Sequence, residues 1–354
     1  MNKLLKFIGA IVLASFVCSM QTVCAANRIA KMFAEGEVPQ AVSYSIDHAD
    51  AYILTQKKAY KLSKGRMELF YESSIPLYCI FVNDSSVWIG VDNGVFIFQI
   101  KNKLKSFIKI DTTVANCKIV TIFKNVDQHI YIGTDAYGLY AYRTHDVPEK
   151  ISTMFPINKG VATADSTIWV GTDVGLFRKR KNEWVRYNEE GVSNFEIPDN
   201  IVQNLVVDNK GLLWILMRNG LAVIEITNPK DLNKSKSHSH EDEHGHIPSK
   251  EYLGRPQNSI YDLHYYKNKG YLFATDMGLL YLPTYKDEEV VENFHHDNDE
   301  KVENKALLKM PDIAAINNEY GKILFINDQG LNTYLICEKG VFRLSKKMLL
   351  QMLS

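Results

Sequence analysis

The chain is expected to fold as an all-β protein: a single seven-bladed β-propeller of four-stranded blades, with the last blade closed by the mature N-terminal strand. Three observations lead there. A phrase of short apolar strand, Gly-containing turn and second strand recurs seven times. The copies follow one another at a blade-like spacing. The two ends of the chain each offer part of a blade.

The clearest copies are Val87-Trp88-Ile89-Gly90 with Gly94 and Val95-Phe96-Ile97, Ile130-Tyr131-Ile132-Gly133-Thr134-Asp135 with Gly138-Leu139-Tyr140, and Ile168-Trp169-Val170-Gly171-Thr172-Asp173 with Gly175-Leu176-Phe177. Fainter copies are Leu213-Trp214-Ile215 with Gly220-Leu221, Tyr271-Leu272-Phe273 with Gly278-Leu279-Leu280, and Tyr334-Leu335-Ile336 with Gly340-Val341-Phe342. An eroded first copy is Ala51-Tyr52-Ile53-Leu54 with Ala59-Tyr60. Each reads as a β-hairpin. Anchored on Tyr52, Trp88, Tyr131, Trp169, Trp214, Leu272 and Leu335, the copies lie 36 to 63 residues apart, and the long intervals come last.

An apolar run before each anchor supplies an innermost strand: Val42 to Ile46, Tyr78 to Val82, Ile119 to Phe123, Ile201 to Val207, Ile260 to His264 and Ile313 to Ile316. Asp208-Asn209-Lys210-Gly211 reads as a turn, with Gly supplying positive φ. More polar runs such as Leu104 to Ile108 and Trp184 to Tyr187 supply outer strands. Four strands per unit is the propeller count. The seventh unit stops near Leu344, and Arg28 to Phe33 looks like an orphan outer strand that would complete it and remove an open edge. Residues 346–354 are left as a tail, a short helix or a frayed end.

Residues 1–26 read as a secretory signal: Lys3 and Lys6, an apolar run from Phe7 to Val17, and small residues at Val23-Cys24-Ala25-Ala26. The propeller is then expected over 27–345, with a His-rich insertion at 228–250 and an acidic, His-bearing insertion at 284–305. The expected location is periplasmic or secreted. No later stretch is apolar enough to span a membrane, and an apolar share of 46% is ample for a core. A formal net charge of zero gives no sign of nucleic-acid binding. Cys79, Cys117 and Cys337 remain after the leader; three is odd, so buried free thiols are expected, with a Cys79–Cys117 bridge as the alternative.

The string Ile-Trp-Val-Gly-Thr-Asp at 168–173, continued by Gly175-Leu176, and Asp-Asn-Lys-Gly-Leu-Leu-Trp at 208–214 resemble the two-component-regulator propeller repeat. That resemblance implies an extracytoplasmic ligand-binding sensor β-propeller. The family's hybrid sensors carry a membrane span and a kinase. This chain resembles a stand-alone secreted member.

Histidines supply the second chemical signal. His238, His240, His244 and His246 fall within nine residues, and His295 and His296 follow in the next insertion. Imidazole nitrogens with neighbouring carboxylates suit Zn²⁺ or another divalent transition metal. Both tracts follow third strands of adjacent units, so a shared, loop-borne metal site is expected, against the alternative of a solvated insertion. His240-Glu241-Asp242-Glu243-His244 matches the zinc-protease spacing, but no apolar flank would let it form a buried helix, so protease activity is set aside. Asp92, Asp135, Asp173 and Asp276 read as turn residues, and Trp88, Trp169 and Trp214 as inter-blade filler rather than sugar-stacking platforms. His48, His129, His145 and His264 read as surface or satisfied core residues. No catalytic set is identified. The expected function is an exported module that recognises a glycan, peptide or partner protein. A cell-envelope scaffold or a propeller lyase or hydrolase are the alternatives.

Overall fold

The computed structural model describes residues 28–352 except 46–48, 103, 111–116, 144–148, 153–155, 182, 190–196, 198, 209–211, 219–220, 226–248, 252–259, 267–268, 276–277, 284–307 and 310–318. The expected leader and all six candidate metal-ligating histidines lie outside the described residues, as do His48, His145 and Asp276.

Strand β1 (Arg28–Met32) precedes a first sheet of β2 (Ala41–Tyr44), β3 (Asp50–Leu54), β4 (Lys58–Ser63) and β5 (Arg66–Glu72). The second sheet holds β6 (Cys79–Val82), β7 (Ser86–Val91), β8 (Gly94–Gln99) and β9 (Lys105–Lys109). The third holds β10 (Ile119–Lys124), β11 (Ile130–Thr134), β12 (Leu139–Tyr142) and β13 (Glu149–Ser152). The fourth holds β14 (Ile157–Ala162), β15 (Ile168–Thr172), β16 (Gly175–Arg180) and β17 (Glu183–Tyr187). The fifth holds β18 (Val202–Val207), β19 (Leu212–Met217), β20 (Leu221–Glu225) and β21 (Ser249–Glu251). The sixth holds β22 (Ile260–Tyr266), β23 (Gly270–Thr275), β24 (Gly278–Pro283) and β25 (Leu308–Lys309). The seventh holds β26 (Ile323–Gln329), β27 (Asn332–Cys337) and β28 (Gly340–Ser345), beside β1. Helix α1 (Lys346–Met352) follows.

Every sheet is an antiparallel meander, and its second strand is buried on both faces because a neighbouring sheet covers each one. Apolar clusters join each sheet to the next. Tyr52 and Leu54 of the first meet Ile80 and Ile89 of the second, for example, and Trp214 of the fifth meets Leu263 and Phe273 of the sixth. The repeated tryptophans fill these seams: Trp88, Trp169 and Trp214 are all buried.

The glycine of the repeated Trp-Ile-Gly phrase serves the seam rather than a turn. A Cβ on Gly90 would sit 2.6 Å from the Ile119 carbonyl oxygen. On Gly133 it would meet Ile157 at 3.1 Å, and on Gly171 it would meet Val202 at 2.5 Å. Ile119, Ile157 and Val202 are the first residues of the next sheet's inner strand or the residue just before it is fully paired, and all are buried. Removing the side chain lets the next inner strand close on the sheet. The hairpin turn is instead held by threonine. Thr134 Oγ1 donates to the Gly138 carbonyl at 2.9 Å, Thr172 Oγ1 to Gly175 at 2.8 Å and Thr275 Oγ1 to Gly278 at 2.9 Å. The repeated aspartates tie the hairpin to the incoming chain: Asp135 Oδ1 accepts from the Lys118 backbone N–H at 2.9 Å, and Asp173 Oδ1 from Asn158 Nδ2 at 2.7 Å.

Three parts of the expected blade plan are corrected. The last sheet's inner strand is Ile323–Gln329, not Ile313 to Ile316, which lie outside the described residues. Ile323-Leu324-Phe325-Ile326 is itself an apolar run, and Ile326 pairs with Leu335. The anchor of that sheet is Tyr334 rather than Leu335, since Tyr334 opposes Arg343 as Trp88 opposes Ile97. Closure by the N-terminal strand is the third. The strand β1 meets β28 at two Cα pairs, Arg28 with Phe342 and Met32 with Gly340, with an irregularity between them, and so is not a continuous outer strand. The seventh and first sheets are joined mainly by an apolar cluster in which Tyr334, Ile336 and Val341 meet Ala51, Ile53 and Tyr60.

Candidate functional site: the mouth of the central channel

The seven inner strands surround a channel, and at their starting ends lies a cavity of about 340 Å³. All seven sheets line it. The backbone builds it in a repeated way. In β10, β14, β18, β22 and β26 the pairing register slips just after the first residue. The extra residue at each slip is Val120, Asn158, Gln203, Tyr261 or Leu324, and all five line the cavity. A bulge leaves one residue out of the ladder and re-aims its side chain. Here five bulges aim at one space.

The next residue of each inner strand opposes the glycine position of its sheet. Around the ring these are Ala41, Cys79, Thr121, Lys159, Asn204, Asp262 and Phe325. Inner strands of adjacent sheets splay apart and leave backbone groups that no ladder satisfies. Side chains take over. Thr121 Oγ1 accepts from the Gly160 N–H at 3.2 Å, Ser43 Oγ from the Val82 N–H at 2.9 Å, and Asp262 Oδ2 from the Ile326 N–H at 3.0 Å. Asn158 Nδ2 donates to the Val202 carbonyl at 3.0 Å and Asn204 Nδ2 to the Tyr261 carbonyl at 3.1 Å. Tyr44 donates its hydroxyl to the Ile326 carbonyl at 3.3 Å.

Two groups of opposite charge hold equivalent ring positions: Lys159, which lines the cavity, and Asp262. Burial pushes the Asp262 carboxyl up to about 6, against backbone N–H bonds from Ile326 and Leu263 and against the charge of Lys159. Burial pulls the Lys159 ammonium down, against the favourable charges of Cys79 and Asp262. Both side chains are half-buried, yet protein surrounds both closely enough for burial to dominate their titration. Burial also holds the Tyr44 hydroxyl neutral, reinforced by Asp262. Tyr78 is pushed up to about 12 by burial and by its 3.0 Å bond to Asp92. Among the described residues no hydrogen bond or ion pair joins Lys159 to Asp262, and no nucleophile sits on a base in the cavity. The lining offers amide, hydroxyl, ammonium and aromatic groups to a small molecule.

These channel residues were missed in the sequence. Lys159 and Asp262 lie 103 positions apart in unremarkable strand runs. Placing the inner strands over one another from each anchor would have stacked them. Cys79, Cys117 and Cys337 are free and buried, and burial pushes them up to about 12, 11 and 12. His129 bonds Asp127 at 2.8 Å, and His264 lies 3.8 Å from Asp328. Among the described residues no group of His, Cys, Asp and Glu could hold a metal, and no helix is long and apolar enough to cross a membrane.

No family model and no curated protein matches this chain. Its fold does match solved structures. One is described as the extracellular domain of the hybrid two-component system BT4673 from B. thetaiotaomicron, at TM-score 0.56 and 17% identity, over 88% of this chain and 38% of that one. A second, catalytically inactive virginiamycin B lyase from Staphylococcus aureus with quinupristin, aligns at TM-score 0.59 and 11% identity, over 89% of this chain and 98% of that one. The WD40 β-propeller domain of Doa1 aligns at TM-score 0.57 and 7% identity, over 90% and 95%. The chain thus spans well under half of the sensor domain it matches. At these identities the likeness is one of fold: a β-propeller.

Proposed function

We propose that this chain is an exported β-propeller binding module that takes a small polar ligand into the channel mouth. The observation that carries this is the convergence of five inner-strand bulges on one cavity. Its walls mix amide, hydroxyl and aromatic groups, which suit a sugar or a short peptide segment. The fold shared with an extracellular sensor domain supports recognition as the role, and location outside the cytoplasm with it. A lyase-like role is less well supported, since no reacting constellation is assembled among the described residues.

Thermal shift against a panel of sugars, amino acids and short peptides tests this reading. Gln203→Trp and Val120→Trp fill the cavity mouth. A compound that stabilises the wild type and neither variant is the expected result. Stabilisation that survives both substitutions places binding elsewhere, and the reading fails.

A second reading concerns the histidine tracts. They fall between β20 and β21 and between β24 and β25, third-to-fourth-strand connections of adjacent sheets. In antiparallel meanders those connections emerge on one face, opposite the starting ends of the inner strands. We propose, from the sequence spacing alone, that His238, His240, His244, His246, His295 and His296 bind a Zn²⁺-type ion. Calorimetric titration of Zn²⁺ into the full chain and into a variant lacking 234–247 tests it; equal heats in both end it.

A further inference from the structure

The ring of inner-strand residues treats Lys159 differently from its equivalents. Thr121, Asn204 and Asp262 each satisfy a backbone group of the next inner strand. Asp262 is held by two backbone N–H groups, from Ile326 and Leu263. Lys159 occupies the same position in the fourth sheet and lines the same cavity, yet among the described residues its ammonium has no hydrogen bond and no ion pair within 4.0 Å. Its side chain is half-buried, so the ammonium is open to the cavity and available for a charge-assisted contact with an incoming anion. Its neighbours in the lining can add bonds to the rest of such a molecule. Gln203 is exposed and lines the cavity, while the Asn158 amide nitrogen is already engaged twice.

We infer that Lys159 is a carboxylate anchor, so that the channel mouth selects small polar molecules bearing one carboxylate over their neutral counterparts. This rests on the channel reading above and names the ligand chemistry within it. One cation without a partner fits one negative charge, and a cavity of about 340 Å³ fits a single sugar acid or a small acylated amino acid. An ammonium is a point charge on a flexible stem, so it fixes the charge of the ligand more than its shape.

The experiment is calorimetric titration with two matched pairs: galacturonate against galactose, and N-acetylglycine against N-acetylglycinamide. The proteins are the wild type, Lys159→Met, Lys159→Arg and Gln203→Trp, each first checked by thermal melting. A second readout is the rate of trace acetylation of Lys159, followed by mass spectrometry, with and without each probe. The expected result is that at least one acid binds about tenfold more tightly than its neutral partner and protects Lys159. Lys159→Met abolishes that preference and Lys159→Arg retains it. Which pair responds identifies the source of the carboxylate. Equal binding of acid and neutral partner, or a preference that survives Lys159→Met, overturns the anchor. If acid and neutral probes bind equally and Gln203→Trp abolishes both, the channel reading stands while the anchor falls. Acetylation of Lys159 unchanged by either acid also overturns it, and the wider panel then judges the channel on its own.

Discussion

Asp262 Oδ2 accepts a hydrogen bond from the Ile326 backbone N–H at 3.0 Å and so fastens the sixth inner strand to the seventh. The same carboxyl titrates near 6, above an ordinary value of 3.8. The folded protein therefore holds a proton that the unfolded chain gives up between about pH 4 and 6. Stability from this group is fully present below about pH 4 and is lost as pH rises through about 6. The stability difference between wild type and Asp262→Asn should fall by on the order of 2 kcal/mol between pH 4 and 7. Urea melts across that range measure it. A difference that is flat or grows with pH contradicts the burial of this carboxyl.

Gly90 is predicted to be intolerant of even one methyl group. The added Cβ would sit 2.6 Å from Cys79 Sγ and 2.6 Å from the Ile119 carbonyl oxygen, and the second of these is backbone that cannot step aside. Gly90→Ala should cost about 2 kcal/mol by overpacking. Gly36→Ala, with nothing within 4 Å but a φ of +79°, separates backbone strain from crowding. Equal stability of Gly90→Ala and wild type in chemical denaturation would remove the seam role given to this glycine.

Thr172 closes the fourth sheet's hairpin in both directions. Its Oγ1 donates to the Gly175 carbonyl at 2.8 Å and accepts from the Val174 N–H at 3.1 Å. Thr172→Val keeps the shape and removes both bonds, and should cost about 1–2 kcal/mol. Amide hydrogen exchange should show faster opening at Val174 before any global change appears. Unaltered exchange there would mean that the turn holds without the hydroxyl.

Leu349 of α1 is fully buried against the seam between the sixth and seventh sheets, with Leu272, Leu335 and Phe342 in the same cluster. Lys346 fastens the start of the helix to Asp328 at 2.6 Å. Leu349→Ala should cost about 3 kcal/mol, as a cavity in a core that cannot collapse. Denaturant unfolding measures it. A cost below about 1 kcal/mol would make the helix an ornament rather than part of the ring.

The sequence carried the second and third strands of each sheet plainly, because both are apolar and a Gly-containing turn lies between them. Trp88 and Gly90 stand out by residue type alone. The inner strands were harder. Their burial alternates irregularly, as in Val202–Val207, because the bulge shifts the face after one residue and breaks the period of two. The same slip hid the channel site, since Lys159 and Asp262 come to share one ring only through the stacking of the inner strands. Tyr334 was misplaced by one residue because Tyr334, Leu335 and Ile336 are all apolar enough to anchor a strand. The histidine tracts were the loudest chemical signal, yet their placement depends on long insertions that strand patterning does not govern.

The extra residue in each of five inner strands has an evolutionary corollary. Val120, Gln203, Tyr261 and Leu324 stand outside the ladder pairs of their sheets and, unlike Asn158, lend no side-chain bond to a neighbouring strand among the described residues, so exchanging any of these four leaves the register of the flanking pairs intact. Specificity can thus drift one spoke at a time, while the wheel that carries it stays true.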